Sequence, residues 1–427
     1  MSKKLSVIVF LMVSFSMILA ACSGPQAASP TGETPAQTEI AAPSGPPAEC
    51  IDNPEQKKCA VFASGEVIKI GYAGPMTGDY AAFGIDSSQA GMLAIKDAGE
   101  FKGRPFELDA QDTQGSGEGG AAVANLFVSN PHIVAISGHT FSGSTAAAIP
   151  IYNQARIPMM SATSTRADLT EGDQDVFNRI PFTDDIQGSN VAEYLHDTLD
   201  LDSIALMHDG DTYGRGLAEK VRDVFIELGG EVVAFEPITS GEADYSSVLN
   251  AIAANQPQAL FYGGYDAEAA VIKNQMELAG LNDVVFFTDD GVYGANFLKL
   301  TGDNSEGTYA TASIPPASAA REKFDAAFKD AYGVEAGSYS AFTWHCYDTV
   351  AALISAIEKT AIEGADGNLY IPREALVKNV RGLSGYQALT GEITCNTNGE
   401  CNTAGPTFFV VKDGKWVEAP KTSMTGN

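Results

Sequence analysis

Val67-Ile68-Lys69-Ile70-Gly71, followed by Tyr72-Ala73-Gly74-Pro75-Met76-Thr77-Gly78, is the stretch that decides the fold. Its first five residues are rich in β-branched side chains and read as a strand, and the glycines and proline behind them end it in a loop. Over 87–98 the period changes: Ala90, Leu93, Ala94 and Ala98 fall on one face of a helix. The alternation continues outward with a strand over 106–110, a helix over 119–128, a strand over 132–137 and a helix over 145–154. The second third repeats it, with strands over 203–207, 231–237, 259–262 and 284–288 and helices over 214–228, 245–255 and 267–279. Strands and helices alternating at this spacing imply βαβ units and parallel sheets with helices on both faces. The series runs twice, breaking near Pro181. Two longer helices follow, near 321–331 and 340–359, and a hairpin over 391–416 closes the chain. Two similar α/β lobes joined by several crossings imply a cleft with a hinge, an architecture that closes around small ligands.

Before position 67 the composition differs. Lys3 and Lys4 precede an apolar run over 5–18, and Leu19-Ala20-Ala21-Cys22 follows. This is the layout of a secretory leader, too short for a spanning helix. Leu19 to Cys22 resembles the bacterial lipobox, which implies removal of residues 1–21 and lipid on Cys22. The chain would then be exported and anchored to the cell membrane, facing the periplasm or cell exterior. Residues 22–48 are mainly Pro, Ala, Gly, Ser and Thr, with too little apolar surface to offset chain entropy, and read as a disordered tether.

The 427 residues carry a formal charge of -28. That acidity excludes a nucleic-acid partner, which needs basic patches to displace counterions. Of six cysteines, Cys22 belongs to the lipobox. Cys50 and Cys59, and Cys395 and Cys401, are spaced as short disulfide-closed turns and lack the tighter spacing of zinc ligands. The first pair would close a short N-terminal extension over 49–66. Cys346, in an apolar neighbourhood, reads as a buried free thiol.

Loops at the C-terminal ends of strands hold ligands in open α/β sheets. Three such loops stand out: 71–84, 137–145 and the hydroxyl-dense 160–165. The second, containing Ser142, precedes a helix whose free N–H groups suit an anion, although Ser and Thr at such places are commonly simple caps. There is no P-loop, no H-E-x-x-H and no nucleophile elbow, so neither a nucleotide site nor catalysis is supported. His139 and His345 have no evident catalytic partner. No metal or cofactor is expected.

The order of the motifs adds to this. Gly74-Pro75-Met76-Thr77-Gly78, Gly138 to Thr145, His208-Asp209-Gly210-Asp211-Thr212-Tyr213, Phe261 to Tyr265, Asp290-Gly291 and Trp344-His345-Cys346-Tyr347 together resemble the leucine/isoleucine/valine-binding family of ABC-importer receptors. The resemblance implies the type I periplasmic-binding-protein fold: two doubly wound parallel-sheet lobes joined by a three-segment hinge. Lobe 1 would span 67–182 and 315–388, and lobe 2 would span 183–314 and 389–420. It implies that Ser142 and Thr165 hold a ligand carboxylate, with Ser164 in the same loop. Thr163 (through its carbonyl), the Thr165 hydroxyl and Asp290 would hold the ammonium. Phe83, Tyr213, Tyr265 and Tyr347 would line the pocket and the closing lobe. Many relatives carry glutamate where Asp290 stands, so the ammonium would sit closer or be bridged by water. Phe141 and Gln114 replace a disulfide that some members carry. The implied protein is a monomer that delivers a branched-chain amino acid to an ABC permease. The alternatives are an amide, urea or aromatic-acid ligand, or a sensor that signals through a membrane partner.

Overall fold

The computed structural model describes residues 46–51, 58–401 and 405–420. The expected leader, Cys22 and the tether up to residue 45 lie outside the described residues. Two sheets organise the rest. The first runs Arg104–Asp112, Ile68–Gly74, Ile133–Gly138, Met159–Ser161, Phe177–Arg179, all parallel, with Glu100–Phe101 antiparallel at its edge. The second runs Glu231–Pro237, Ser203–His208, Ala259–Gly263, Val285–Phe287, Tyr309–Ala312 in parallel, and the hairpin of Thr407–Lys412 and Lys415–Glu418 extends it antiparallel. In both, the earliest parallel strand lies second in the row and the chain then builds the other way. Both lobes therefore have a switch point, where neighbouring loops part and leave a crevice.

The central strands Ile133–Gly138 and Ala259–Gly263 are buried along their whole length. Helices cover both faces, which is why these strands read as unbroken apolar runs. Ile70, Val134 and Leu353 pack on one face of the first sheet, and Phe127, Ile136 and Tyr152 on the other. The second sheet is likewise filled by Leu206, Phe261 and Phe287 on one side and Met207, Leu260 and Phe286 on the other.

Several elements differ from expectation. The first long helix is Ala81–Ala98 and starts a turn and a half early, because Ala81-Ala82-Phe83-Gly84 shows no periodic apolar face. A Cβ on Gly84 would stand 1.8 Å from the Pro75 carbonyl oxygen, so only glycine allows that turn to form against the loop. Helix Asp184–Glu193 has no counterpart in the sequence pattern. Thr183 caps it by accepting the Ile186 N–H at 3.3 Å, and its buried face mixes Asp184, Gln187 and Gly188 with only Val191 and Ala192, too short an apolar pattern to read. The N-terminal extension is tied in: Cys50 and Cys59 form a disulfide, and Cys59–Phe62 pairs with Leu369–Pro372.

The C-terminal expectations are corrected. No hairpin spans 391–416; Gly391–Ile393 pairs with Tyr386–Ala388, and the closing hairpin runs from Thr407 to Glu418. Nor does the second lobe resume at 389. Leu389 and Thr390 N–H groups donate to Asp348 at 2.9 and 2.8 Å, and Ile393 and Cys401 pack in the first lobe's core. Cys395 and Cys401 form a disulfide whose loop continues the first sheet beside Arg179, so the last crossing falls after Cys401.

Candidate ligand site between the lobes

The strand Ile133–Gly138 leads into helix Ser142–Ala155 through His139-Thr140-Phe141. Phe141 sits at the N-cap and no side chain caps this end. The first N–H groups are thus free, with the positive end of the helix dipole behind them. The next loop, after Met159–Ser161, stands alongside: the Ser142 hydroxyl accepts the Arg166 N–H at 3.4 Å, and the Thr163 hydroxyl donates to the Thr140 carbonyl. Among the described residues no donor reaches the Thr163 carbonyl. Ser164 is buried and structural, with its hydroxyl 2.7 Å from that of Thr145 and donating to the His139 carbonyl at 2.9 Å. Thr165 is buried just behind the cavity, and its hydroxyl makes no hydrogen bond of normal geometry among the described residues.

The second lobe contributes Asp290, buried early in the loop between Val285–Phe287 and the helix Ala295–Thr301. The Tyr213 hydroxyl donates to its Oδ1 at 2.8 Å, and the Gln187 amide donates to the same oxygen and to Thr311 Oγ1 at 2.8 Å. Aromatic rings join the lobes. Phe141 stacks on Tyr265 with centroids 4.2 Å apart, and Phe83 meets Tyr265 edge-on at 6.1 Å. The Tyr80 hydroxyl donates to Glu268 at 3.0 Å, and the Arg166 guanidinium donates to the Thr212 carbonyl at 2.6 Å. The two lobes are therefore closed on each other.

Phe83, Ser142, Thr163, Tyr213, Tyr265 and Asp290 line one cavity, together with Thr140, Phe141, Gly291, Ser340 and Phe342. The space among these residues, its open mouth included, is about 350 Å³. Tyr347 does not join it. Its hydroxyl donates to Asp97 at 2.8 Å and its ring meets Phe324, so Phe342 takes the place expected for it. The stacking role of Phe141 was not expected either: legible in sequence only as the replacement of a cysteine, this residue forms a wall of the cavity. Gln187 gave no signal, since it lies in a polar segment that reads as loop.

The electrostatics are one-sided. Burial pushes Asp290 up to about 6, with the bonds from Tyr213 and Gln187 opposing the shift. Burial and the neighbouring Asp290 push Asp289 well above the carboxylate range. Burial pushes Asp184 up to about 8, against the Thr165 hydroxyl beside it and the more distant Arg179 and Arg166. A cation entering between these acids would be stabilised. Burial drives His139 and His345 down to about 3, and each is held by one hydroxyl, Tyr152 and Ser313 respectively, both at 3.0 Å. Neutral, buried imidazoles of this kind are packing elements. Among the described residues no cluster of His, Cys, Asp and Glu could hold a metal ion, and no helix is long and apolar enough to cross a membrane.

A crevice where two like lobes meet, walled by aromatic rings and polar at both ends, defines a two-lobed small-molecule receptor. The chain belongs to the periplasmic binding protein family, whose pattern matches residues 67–415. The family is one of binding proteins, and the relatives below are likewise binding proteins by name. An amino acid binding protein of Pseudomonas aeruginosa is 31% identical over 295 residues, covering 67% of this chain and 77% of its own length. The Leu/Ile/Val-binding protein of Escherichia coli K12 is 31% identical over 253 residues, covering 58% of this chain and 68% of its own length. Among solved structures, a leucine-binding protein from Thermotoga maritima superposes with a TM-score of 0.75 at 26% identity, over 83% of this chain and 98% of that one.

Proposed function

We propose that this protein is the exported substrate-binding lipoprotein of an ABC importer and that it captures a branched-chain amino acid. The observation that carries the reading is the pairing of opposite polarities across one cavity. The uncapped start of helix Ser142–Ala155 offers N–H donors from one lobe, and Asp290 offers a buried carboxylate from the other. An α-amino acid presents the matching anion and cation. Ser142 and the free N–H groups hold its carboxylate, with Thr165 backing them from behind the cavity; Asp290 and the Thr163 carbonyl hold its ammonium. Phe83, Phe141, Tyr213, Tyr265 and Phe342 surround a side chain that meets no second charge partner, which favours Leu, Ile or Val. Ser164 supports the loop from behind. The names of the relatives support the ligand class.

Lipid attachment at Cys22 rests on Leu19-Ala20-Ala21-Cys22. The anchored monomer then presents its closed lobes to the permease. A calorimetric screen of the twenty amino acids with acetamide, urea and benzoate tests the ligand, with one-to-one binding expected for Leu, Ile and Val. Saturation by an amide or a simple carboxylate, with no amino acid bound, would overturn it. The anchor is tested by detergent partitioning of wild type and Cys22→Ala; full membrane retention of the variant would exclude it.

A further inference from the structure

Arg179 ends the strand Phe177–Arg179 with its side chain fully buried. Its guanidinium donates to the carbonyls of Ser164, Arg166 and Ala167, the first at 3.4 Å and the last at 3.0 Å. These carbonyls belong to the turn that carries Thr163 and Thr165. The Thr165 carbonyl between them accepts the Asp184 N–H at 2.9 Å. One buried cation thus holds most of the backbone of the turn that presents the polar end of the site.

A buried cation needs a counter-charge. Glu400 supplies it, with Oε1 2.6 Å from the guanidinium and also accepting the Thr170 hydroxyl at 2.8 Å. Glu400 lies far along the chain, in the loop closed by the Cys395–Cys401 disulfide. That loop is fastened to the first lobe on both sides of Glu400. The Arg179 N–H donates to the Gly399 carbonyl at 2.8 Å, and the Cys401 N–H donates to the Arg179 carbonyl at 2.9 Å. Gly399 has φ +91°, and a Cβ there would stand 2.5 Å from the Phe177 carbonyl oxygen, so the close approach needs glycine.

We propose that the disulfide-closed loop 395–401 sets ligand affinity from outside the cavity, with Glu400 as a positioning residue: it neutralises Arg179, and Arg179 fixes the turn 163–167. The inference rests on the amino-acid reading of the site. A loop that merely staples the first lobe would change stability and leave affinity alone. The turn handles the main-chain end of the ligand, common to every amino acid. Loosening it weakens all amino acids by the same factor, whereas a change in the aromatic wall alters their ratios.

The test compares wild type, Glu400→Gln, Glu400→Asp and the double variant Cys395→Ser/Cys401→Ser. Calorimetry gives Kd for leucine, valine and alanine, and hydrogen exchange of the ligand-free proteins follows the amides of 163–167. Glu400→Gln should raise all three Kd values about tenfold with their ratios kept within about twofold, Glu400→Asp should recover part of the loss, and the double variant should lose about threefold or more. Exchange should quicken at 163–167 and stay unchanged in the central strand Ala259–Gly263. If Glu400→Gln does not fold, the double variant, which keeps both charges, carries the test. Unchanged affinity and exchange in a cooperatively melting variant would overturn the proposal, as would a loss that differs among the three ligands. If wild type binds none of the three, the amino-acid reading fails, and the exchange measurement alone decides whether Glu400 holds the turn.

Discussion

Replacing Asp290 by asparagine should weaken leucine binding while leaving the ligand-free protein at least as stable. The substitution keeps an acceptor for the Tyr213 hydroxyl, now at 2.8 Å, and removes only the charge. In the folded protein the Asp290 pKa is raised from 3.8 to about 6 by burial. The sign of its effect on stability follows. A raised folded pKa means that the ionised form is disfavoured in the fold, so the stabilising contribution is fully present below about 4 and is lost as pH rises through about 6. At pH 7.5 asparagine escapes that penalty, and the free protein should melt no lower than wild type. Binding moves the other way, because the ligand ammonium loses its buried counter-charge. Removing one partner of a buried, hydrogen-bonded pair costs roughly 2–5 kcal/mol. The amide oxygen still accepts one ammonium N–H, which favours the lower half of that range. At about 1.4 kcal/mol per tenfold, leucine Kd should rise by roughly 30- to 300-fold. Calorimetry at pH 7.5, with thermal melts in the presence and absence of leucine, measures both quantities. A folded variant that binds leucine within threefold of wild type would refute the ammonium role. A free variant that melts far below wild type would mark Asp290 as a structural residue instead.

The remaining predictions use other parts of the site. Leucine affinity should fall by about tenfold per pH unit below about 6 as Asp290 gains its proton; a flat profile from pH 7 to pH 5 would remove Asp290 from the site. Tyr80→Phe, which deletes the inter-lobe bond to Glu268, should raise leucine Kd by about 3- to 10-fold through faster dissociation. Stopped-flow release reads this directly, and an unchanged rate would mean that the latch lies elsewhere. Phe83→Ala should cost leucine about 1 kcal/mol more than it costs alanine, because only the larger side chain covers that ring. Equal losses in calorimetry would make Phe83 a strut of the closed interface.

The alternation of strands and helices was legible because the central strands are buried on both faces while the covering helices keep a polar side. Where burial selects polar residues, that signal disappears. Helix Asp184–Glu193 buries Asp184, Gln187 and Gly188 and looks like loop, so the Gln187 bond to Asp290 is invisible in sequence. The motif ending in Tyr347 points near the cavity but misses by helical geometry. Five residues beyond Phe342 a helix has turned about 140° past a full circle, which carries Tyr347 to Asp97 on the far side. The C-terminal pairing fails for another reason. The β-rich runs at 391–393 and 407–412 are both real, yet the disulfide-closed loop between them holds the first to the other lobe. Tertiary attachment of this kind leaves no periodicity to read.

On the proposed reading, the buried Asp290 also explains why closure depends on the ligand. Tyr80, Phe83 and Phe141 from the first lobe meet Tyr265 from the second, and this apolar contact favours the closed form whatever the cavity contains. Asp290, which lines the cavity, opposes it, since it is buried and held above the ordinary carboxylate range. A ligand shifts such a balance only by the difference in its affinity for the two forms. A carboxylate alone would sit on the uncapped helix of the first lobe, equally well open or closed. An ammonium differs: it reaches the Thr163 carbonyl from one lobe and Asp290 from the other only when they meet, and it neutralises the charge that resists their meeting. The zwitterion is therefore the species that couples binding to closure, and the aromatic wall then selects among zwitterions by the size of their apolar side chains.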